Sequence, residues 1–130
     1  MIKLKLETGK KKIFLLEDEE VLGQLYVKEI QKAGYKVRWL KSTKKVLSSA
    51  QDFLPDLFLL DNTIQGEEDS GIDFIPKLKE IFPKVPIVIL SNYDQFQLEQ
   101  EGNLNQVSYF LKIDTPPPIL IKRIQDLFSR

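Results

Sequence analysis

The chain contains no cysteine and no histidine. Without cysteine there can be no disulfide, no thiolate metal site and no thiol nucleophile. Without histidine there can be no Ser-His-Asp triad, no imidazole metal ligand and no phosphohistidine carrier. Net charge is lacking too, since 19 basic residues balance 19 acidic ones. That balance argues against direct nucleic-acid binding, which draws on a basic surplus. No apolar run approaches the ~20 residues that span a bilayer, so no membrane insertion is expected. The opening MIKLKLETGKKK alternates and then ends in lysines, unlike the continuous apolar stretch of a secretory signal. Residues 1–10 read as a solvated leader or a short extra strand, residues 11–130 as one domain, and the cytoplasm as the compartment.

What is present is enough apolar material for a core, 42% of 130 residues, under a surface drawn from 29% charged ones. The pattern along the chain is regular. Lys12 to Leu16, Leu57 to Leu60 and Ile87 to Leu90 are short apolar runs without polar alternation, as strands covered on both faces require. Tyr35 to Leu40 alternates and suits an edge strand, and Tyr109 to Leu111 is a short fifth strand.

Between the strands lie helical patterns. From Glu19 to Lys32 the residues Leu22, Leu25, Tyr26, Ile30 and Ala33 recur at helical spacing, with Gly34 placed for the end. Ser42 and Thr43 can cap a second helix running to about Asp52. A third carries Ile75, Leu78 and Phe82 on one face, with Pro76 in its first turn. A weakly patterned segment from Asp94 to Gln106 reads as a fourth. Thr115-Pro116 opens a fifth, with Leu120, Ile124, Leu127 and Phe128 inward. Five strand–helix repeats predict an α/β fold: a flavodoxin-like, doubly wound, five-stranded parallel sheet of order 2-1-3-4-5, flanked by five helices.

In such a sheet, ligands bind outside the carboxyl ends of the strands. Glu17 and Asp18 follow the first strand, Asp61 the third, Ser91 the fourth and Lys112 the fifth. Each alone also reads as a helix cap, a turn residue or a solvated lysine. Together they place three carboxylates, a hydroxyl and an ammonium on one edge. Clustered carboxylates repel and either bind protons or demand a cation, and Mg2+ is satisfied by such oxygen donors together with water and phosphate oxygens. A carboxylate can also accept a phosphoryl group, giving an aspartyl phosphate.

With these residues in place, the sequence resembles the receiver domain of bacterial two-component response regulators from about Lys11 to Phe128. The resemblance rests on IFLLEDEE (13–20), PDLFLLD (55–61), PIVILSN (86–92) and SYFLK (108–112), in that order and at those spacings. It implies that Asp61 is the phospho-acceptor, that Glu17, Asp18 and Asp61 hold Mg2+ with the backbone carbonyl of Thr63, and that Ser91 and Lys112 contact the phosphoryl group. Ser91 and Tyr109 match the family's switch pair. The chain departs from the family at Gln65 and Asp69, where proline and glycine are customary. Gly71 comes later, and the acidic loop 65–70 is about two residues longer than usual. Ile113 replaces a customary proline, so no cis peptide is expected there.

The implied function is a stand-alone phosphoryl-accepting switch rather than an enzyme. Its partners would be a histidine kinase or histidine phosphotransfer protein and a downstream protein target, and the chain itself a monomer or weak homodimer. Phosphorylation would bias a surface around the fourth and fifth strands and helices. The alternative is a receiver-like interaction module that is never phosphorylated. An aspartate-nucleophile phosphatase is disfavoured because Thr63 stands where its second carboxylate belongs. EDEE after the first strand argues against a nucleotide-binding glycine loop. The assignment requires that the Asp61 carboxyl face those of residues 17 and 18 and be reachable from water.

Overall fold

The computed structural model describes residues 9–62, 71–91 and 107–130. Five strands form one parallel sheet: β1 (Lys12–Leu16), β2 (Lys36–Leu40), β3 (Leu57–Asp61), β4 (Ile87–Ser91) and β5 (Val107–Leu111). The order is β2-β1-β3-β4-β5, as the pattern predicts. Four α-helices accompany it among the described residues, α1 (Glu20–Lys32), α2 (Val46–Phe53), α3 (Ile75–Ile81) and α4 (Pro117–Phe128). The count is therefore four rather than the expected five, and the expected helix over 94–106 lies outside the described residues. Most of the expected leader, residues 1–8, lies outside them as well.

The apolar runs lack alternation because both faces of the sheet are covered. Phe14, Leu16, Phe58, Leu60, Ile87 and Ile89 pack against α2 and α3 through Val46, Ala50, Ile75 and Leu78. The intervening Ile13, Leu15, Leu57, Leu59, Val88 and Leu90 pack against α1 and α4 through Tyr26, Ile30, Leu120 and Ile124.

Several local expectations shift for physical reasons. Gly34 has φ 96°, the left-handed conformation that ends α1. Leu25, expected inward, is exposed, and the buried positions of α1 are Gly23, Tyr26 and Ile30. Ser42 accepts a hydrogen bond from the Lys44 amide, but its cap serves a short 3-10 turn, Thr43–Lys45, ahead of α2. Thr115 does not cap the last helix. Its buried hydroxyl donates backwards to the Leu111 carbonyl at 2.6 Å, closing the turn after β5, and Pro116 takes the cap position. β5 begins two residues earlier than expected, because Val107 and Ser108 pair in register with Ile87 and Val88. No peptide bond among the described residues is cis.

Candidate functional site

The register of β1, β3 and β4 brings their last residues side by side. Leu16 is opposite Leu60, and Asp61 opposite Leu90. Glu17 follows Leu16, so its side chain arrives beside that of Asp61. Carboxylate oxygens of Glu17, Asp18 and Asp61 lie within 4.8 Å of one another. Lys112, directly after β5, reaches across with Nζ 2.9 Å from Asp61 Oδ2 and 3.2 Å from Glu17 Oε1. The Glu17 backbone amide donates to the Leu40 carbonyl, and Glu17 Oε2 accepts from the Glu19 amide.

Two of the three carboxylates are hidden from water, while Asp18 and Lys112 are half-buried. Glu17 is fully buried and Asp61 nearly so. Ser91, the last residue of β4, is also buried. The carboxyl of Asp61 thus faces its two partners as required, but its side chain is only 2% exposed. A reactant must uncover it. Burial, and then the charge of Asp61, push the Glu17 carboxyl up to about 8. Burial alone pulls Lys112 down, yet its hydrogen bond to Asp61 and the charges of Asp61 and Glu17 outweigh that and hold it above its ordinary value.

Three carboxyl groups share one ammonium in this pocket, and the buried Glu17 Oε1 meets that ammonium at 3.2 Å. All the converging ligand atoms are oxygens. That donor set fits a hard divalent cation such as Mg2+.

The remaining expected residues divide. Tyr109 is 2% exposed, its ring packed inward with the Leu78 and Ile89 layer. Thr63 and the loop 65–70 lie outside the described residues. Gly71, noted in the sequence only as a late glycine, proves to be a close contact. A Cβ there would stand 2.7 Å from the Asp61 carbonyl oxygen, so only glycine lets the chain return beside the acidic residue.

Trp39 and Gly23 carry no motif that marks them in the sequence. The Trp39 indole N–H donates to the Glu17 carbonyl at 2.8 Å, and Gly23 makes room for its ring. That Trp39 is the chain's only tryptophan, on a strand next to β1, was the one available hint.

A five-stranded sheet with an acidic, lysine-closed pocket at its carboxyl edge defines a receiver-type α/β domain. Residues 13–125 match the response regulator receiver domain, and the chain belongs to that family. It is 28% identical over 111 residues to the uncharacterized transcriptional regulatory protein YbdJ of Bacillus subtilis, covering 85% of this chain and 48% of that protein. It is 29% identical over 91 residues to the transcriptional regulatory protein BaeR of Escherichia coli, covering 70% of this chain and 37% of that one. The chain thus spans half or less of the length of these curated relatives.

Among solved structures, the chemotaxis response regulator CheY4 of Vibrio cholerae superposes with a TM-score of 0.78 at 21% identity, covering 91% of this chain and 98% of that one. The beryllofluoride-activated receiver domain of Klebsiella pneumoniae RstA gives 0.74 at 26% identity, covering 92% and 100%. No helix among the described residues is long and apolar enough to cross a membrane.

Proposed function

We propose that this chain is a phosphoryl-accepting switch of a two-component relay, with Asp61 as the acceptor and Mg2+ as the cofactor. The observation that carries this reading is the meeting of Glu17, Asp18 and Asp61 within 4.8 Å, closed by Lys112, in a chain of the receiver family. Those three carboxylates would hold the cation, together with the Thr63 carbonyl that the resemblance adds. When bound, Mg2+ neutralises charge on the phosphoryl oxygens.

A carboxylate oxygen of Asp61 attacks the phosphorus of a phosphohistidine on a kinase or phosphotransfer partner. The O–P bond forms as the P–N bond breaks, and the electron pair leaves with the imidazole, which takes up a proton. Lys112 offers a point charge and Ser91 a hydroxyl donor to the transferred group. Residues 11–130 form the switch, residues 1–10 a leader, and its setting is the cytoplasm.

Moving a two-state surface from mostly one state to mostly the other takes on the order of 5 kcal/mol of differential stabilisation. One charge-assisted hydrogen bond supplies only ~1.5–3 kcal/mol. Ser91 and Lys112 must therefore act together on the phosphorylated residue, with Tyr109 packing behind them. The surface they bias, around β4, β5 and α4, would meet a downstream protein, the chain acting as a monomer or weak homodimer.

Incubation with a small phosphodonor and Mg2+ tests the assignment. The wild type should be labelled and Asp61→Asn should not, and labelling that survives this substitution rejects the site. The 2% exposure of Asp61 favours one other reading, a phosphorylation-independent interaction module. A wild-type backbone NMR spectrum that ignores both Mg2+ and beryllofluoride would support that module instead.

A further inference from the structure

We propose that Trp39 is a positioning residue for the acidic pair: its indole N–H fixes the Glu17 peptide and thereby where Glu17 and Asp18 present their carboxylates to a cation. The inference rests on the Mg2+ reading above and adds a residue outside the acidic pocket to it.

Consecutive residues of β2 hold both polar groups of the Glu17 backbone. Trp39 Nε1 donates to its carbonyl at 2.8 Å, and its amide donates to the Leu40 carbonyl at 3.0 Å. The Glu17 carbonyl and the Asp18 amide belong to one rigid peptide plane. A hydrogen bond that sets this plane therefore sets the direction in which the chain leaves Glu17 and enters Asp18.

The indole is itself held. A Cβ on Gly23 would stand 2.1 Å from Trp39 Cζ2 and 2.5 Å from Cε2, so the ring occupies space that any other residue in α1 would fill. The Lys41 ammonium lies over the ring, 5.2 Å from its centroid, and pairs with Glu20 in the first turn of α1. Trp39 thus braces the β1–α1 junction at the Glu17 carbonyl, at Gly23 and, through Lys41, at Glu20.

The junction needs a brace. It ends in Glu19, whose side chain makes no capping hydrogen bond, and it carries two of three carboxylates that repel one another within 4.8 Å. Partners that orient metal ligands are commonly worth 10–100-fold in metal affinity.

The test uses the full chain and Mg2+ alone as the probe. Trp39→Phe keeps an aromatic ring and removes the donor. With its fold checked by circular dichroism, it should bind Mg2+ about tenfold more weakly by calorimetry. Its labelling by a phosphodonor should recover at saturating Mg2+, a loss in apparent Mg2+ affinity and not in maximal rate. Should the variant fail to fold, the wild type alone decides. Its single indole N–H resonance should shift along the same binding curve as Mg2+ uptake.

Affinity within twofold of wild type in a folded Trp39→Phe, or an indole resonance indifferent to Mg2+, overturns the proposal and leaves Trp39 an ordinary packing residue. A wild type that takes up no Mg2+ overturns the metal reading and this inference together. Normal uptake by the wild type combined with unchanged affinity in the variant overturns this inference alone.

Discussion

Leu59 and Asp61 stand two residues apart on β3, on the same side of the sheet, and are 0% and 1% exposed. One is buried where the sheet is thickest and the other at its carboxyl edge. Burying the leucine is favourable by ~1.5–3 kcal/mol. Burying the aspartate is unfavourable unless other groups compensate its charge. The middle layers, Phe14 with Phe58 and Leu15 with Leu59, stabilise the fold. The edge holds Glu17, Asp61 and Ser91 out of water at a cost in stability. That difference marks the edge as the part kept for chemistry, and the middle of the sheet and its carboxyl edge should respond to substitution in opposite directions.

The largest effect on stability is expected in the middle. Leu59→Ala removes a fully buried side chain and leaves a cavity between α1 and α4, at a cost of ~2–5 kcal/mol. Urea denaturation would read this as a lower midpoint with an unchanged slope. A loss below ~1 kcal/mol would mean that the site collapses to fill the space and that the contrast with Asp61 is overdrawn.

At the edge the sign should reverse, and pH should control it. Burial and Asp61 push Glu17 from 4.5 up to about 8 in the folded chain. Below about pH 4.5 the group is protonated whether the chain is folded or not, and its contribution is fully present. Between there and about 8 the unfolded chain releases a proton that the folded chain keeps, so stability falls as pH rises. For one proton the slope is at most ~1.4 kcal/mol per pH unit.

In EDTA, wild-type stability should therefore decline by up to ~4 kcal/mol between pH 5 and pH 8.5 relative to Glu17→Gln, which carries no such proton. Mg2+ should stabilise the wild type more at the higher pH, because a cation and a proton compete for the same oxygens. Parallel curves for the two proteins would remove Glu17 from the comparison.

The sequence makes some of these features legible and leaves others hidden. The apolar runs of β1, β3 and β4 announced double coverage, and the polar residues ending each strand announced the pocket, because a parallel sheet places like ends together. Contacts between elements were not legible. Nothing in the alternation of β2 says that Trp39 turns its N–H to the Glu17 carbonyl. Nothing in the period of α1 says that Gly23 is a seat for an indole. Thr115 read as a cap because its type and its following proline fit one, while the turn after β5 offered its hydroxyl a nearer acceptor in Leu111. The late Gly71 is visible in the sequence as a departure, but nothing in the sequence says that it lies against the Asp61 carbonyl.

The smallest effect separates location from charge. Arg38 Nη1 lies 2.8 Å from Asp52 Oδ2, as close an ion pair as Lys112 with Asp61 at 2.9 Å. Yet Asp52 is 76% exposed, where the Asp61 side chain is 2% exposed. Water already solvates Asp52, and Arg38 keeps its hydrogen bond to the Ser49 carbonyl and its place over the Phe53 ring. Asp52→Asn should therefore change stability by less than ~1 kcal/mol and lose what little it contributes in high salt. It should leave Mg2+ affinity unchanged. Two ion pairs of equal length would then differ only in the water around them. A loss above ~2 kcal/mol for Asp52→Asn would mean that separation, not exclusion of water, sets the worth of a charge in this fold, and the contrast drawn at β3 would no longer hold.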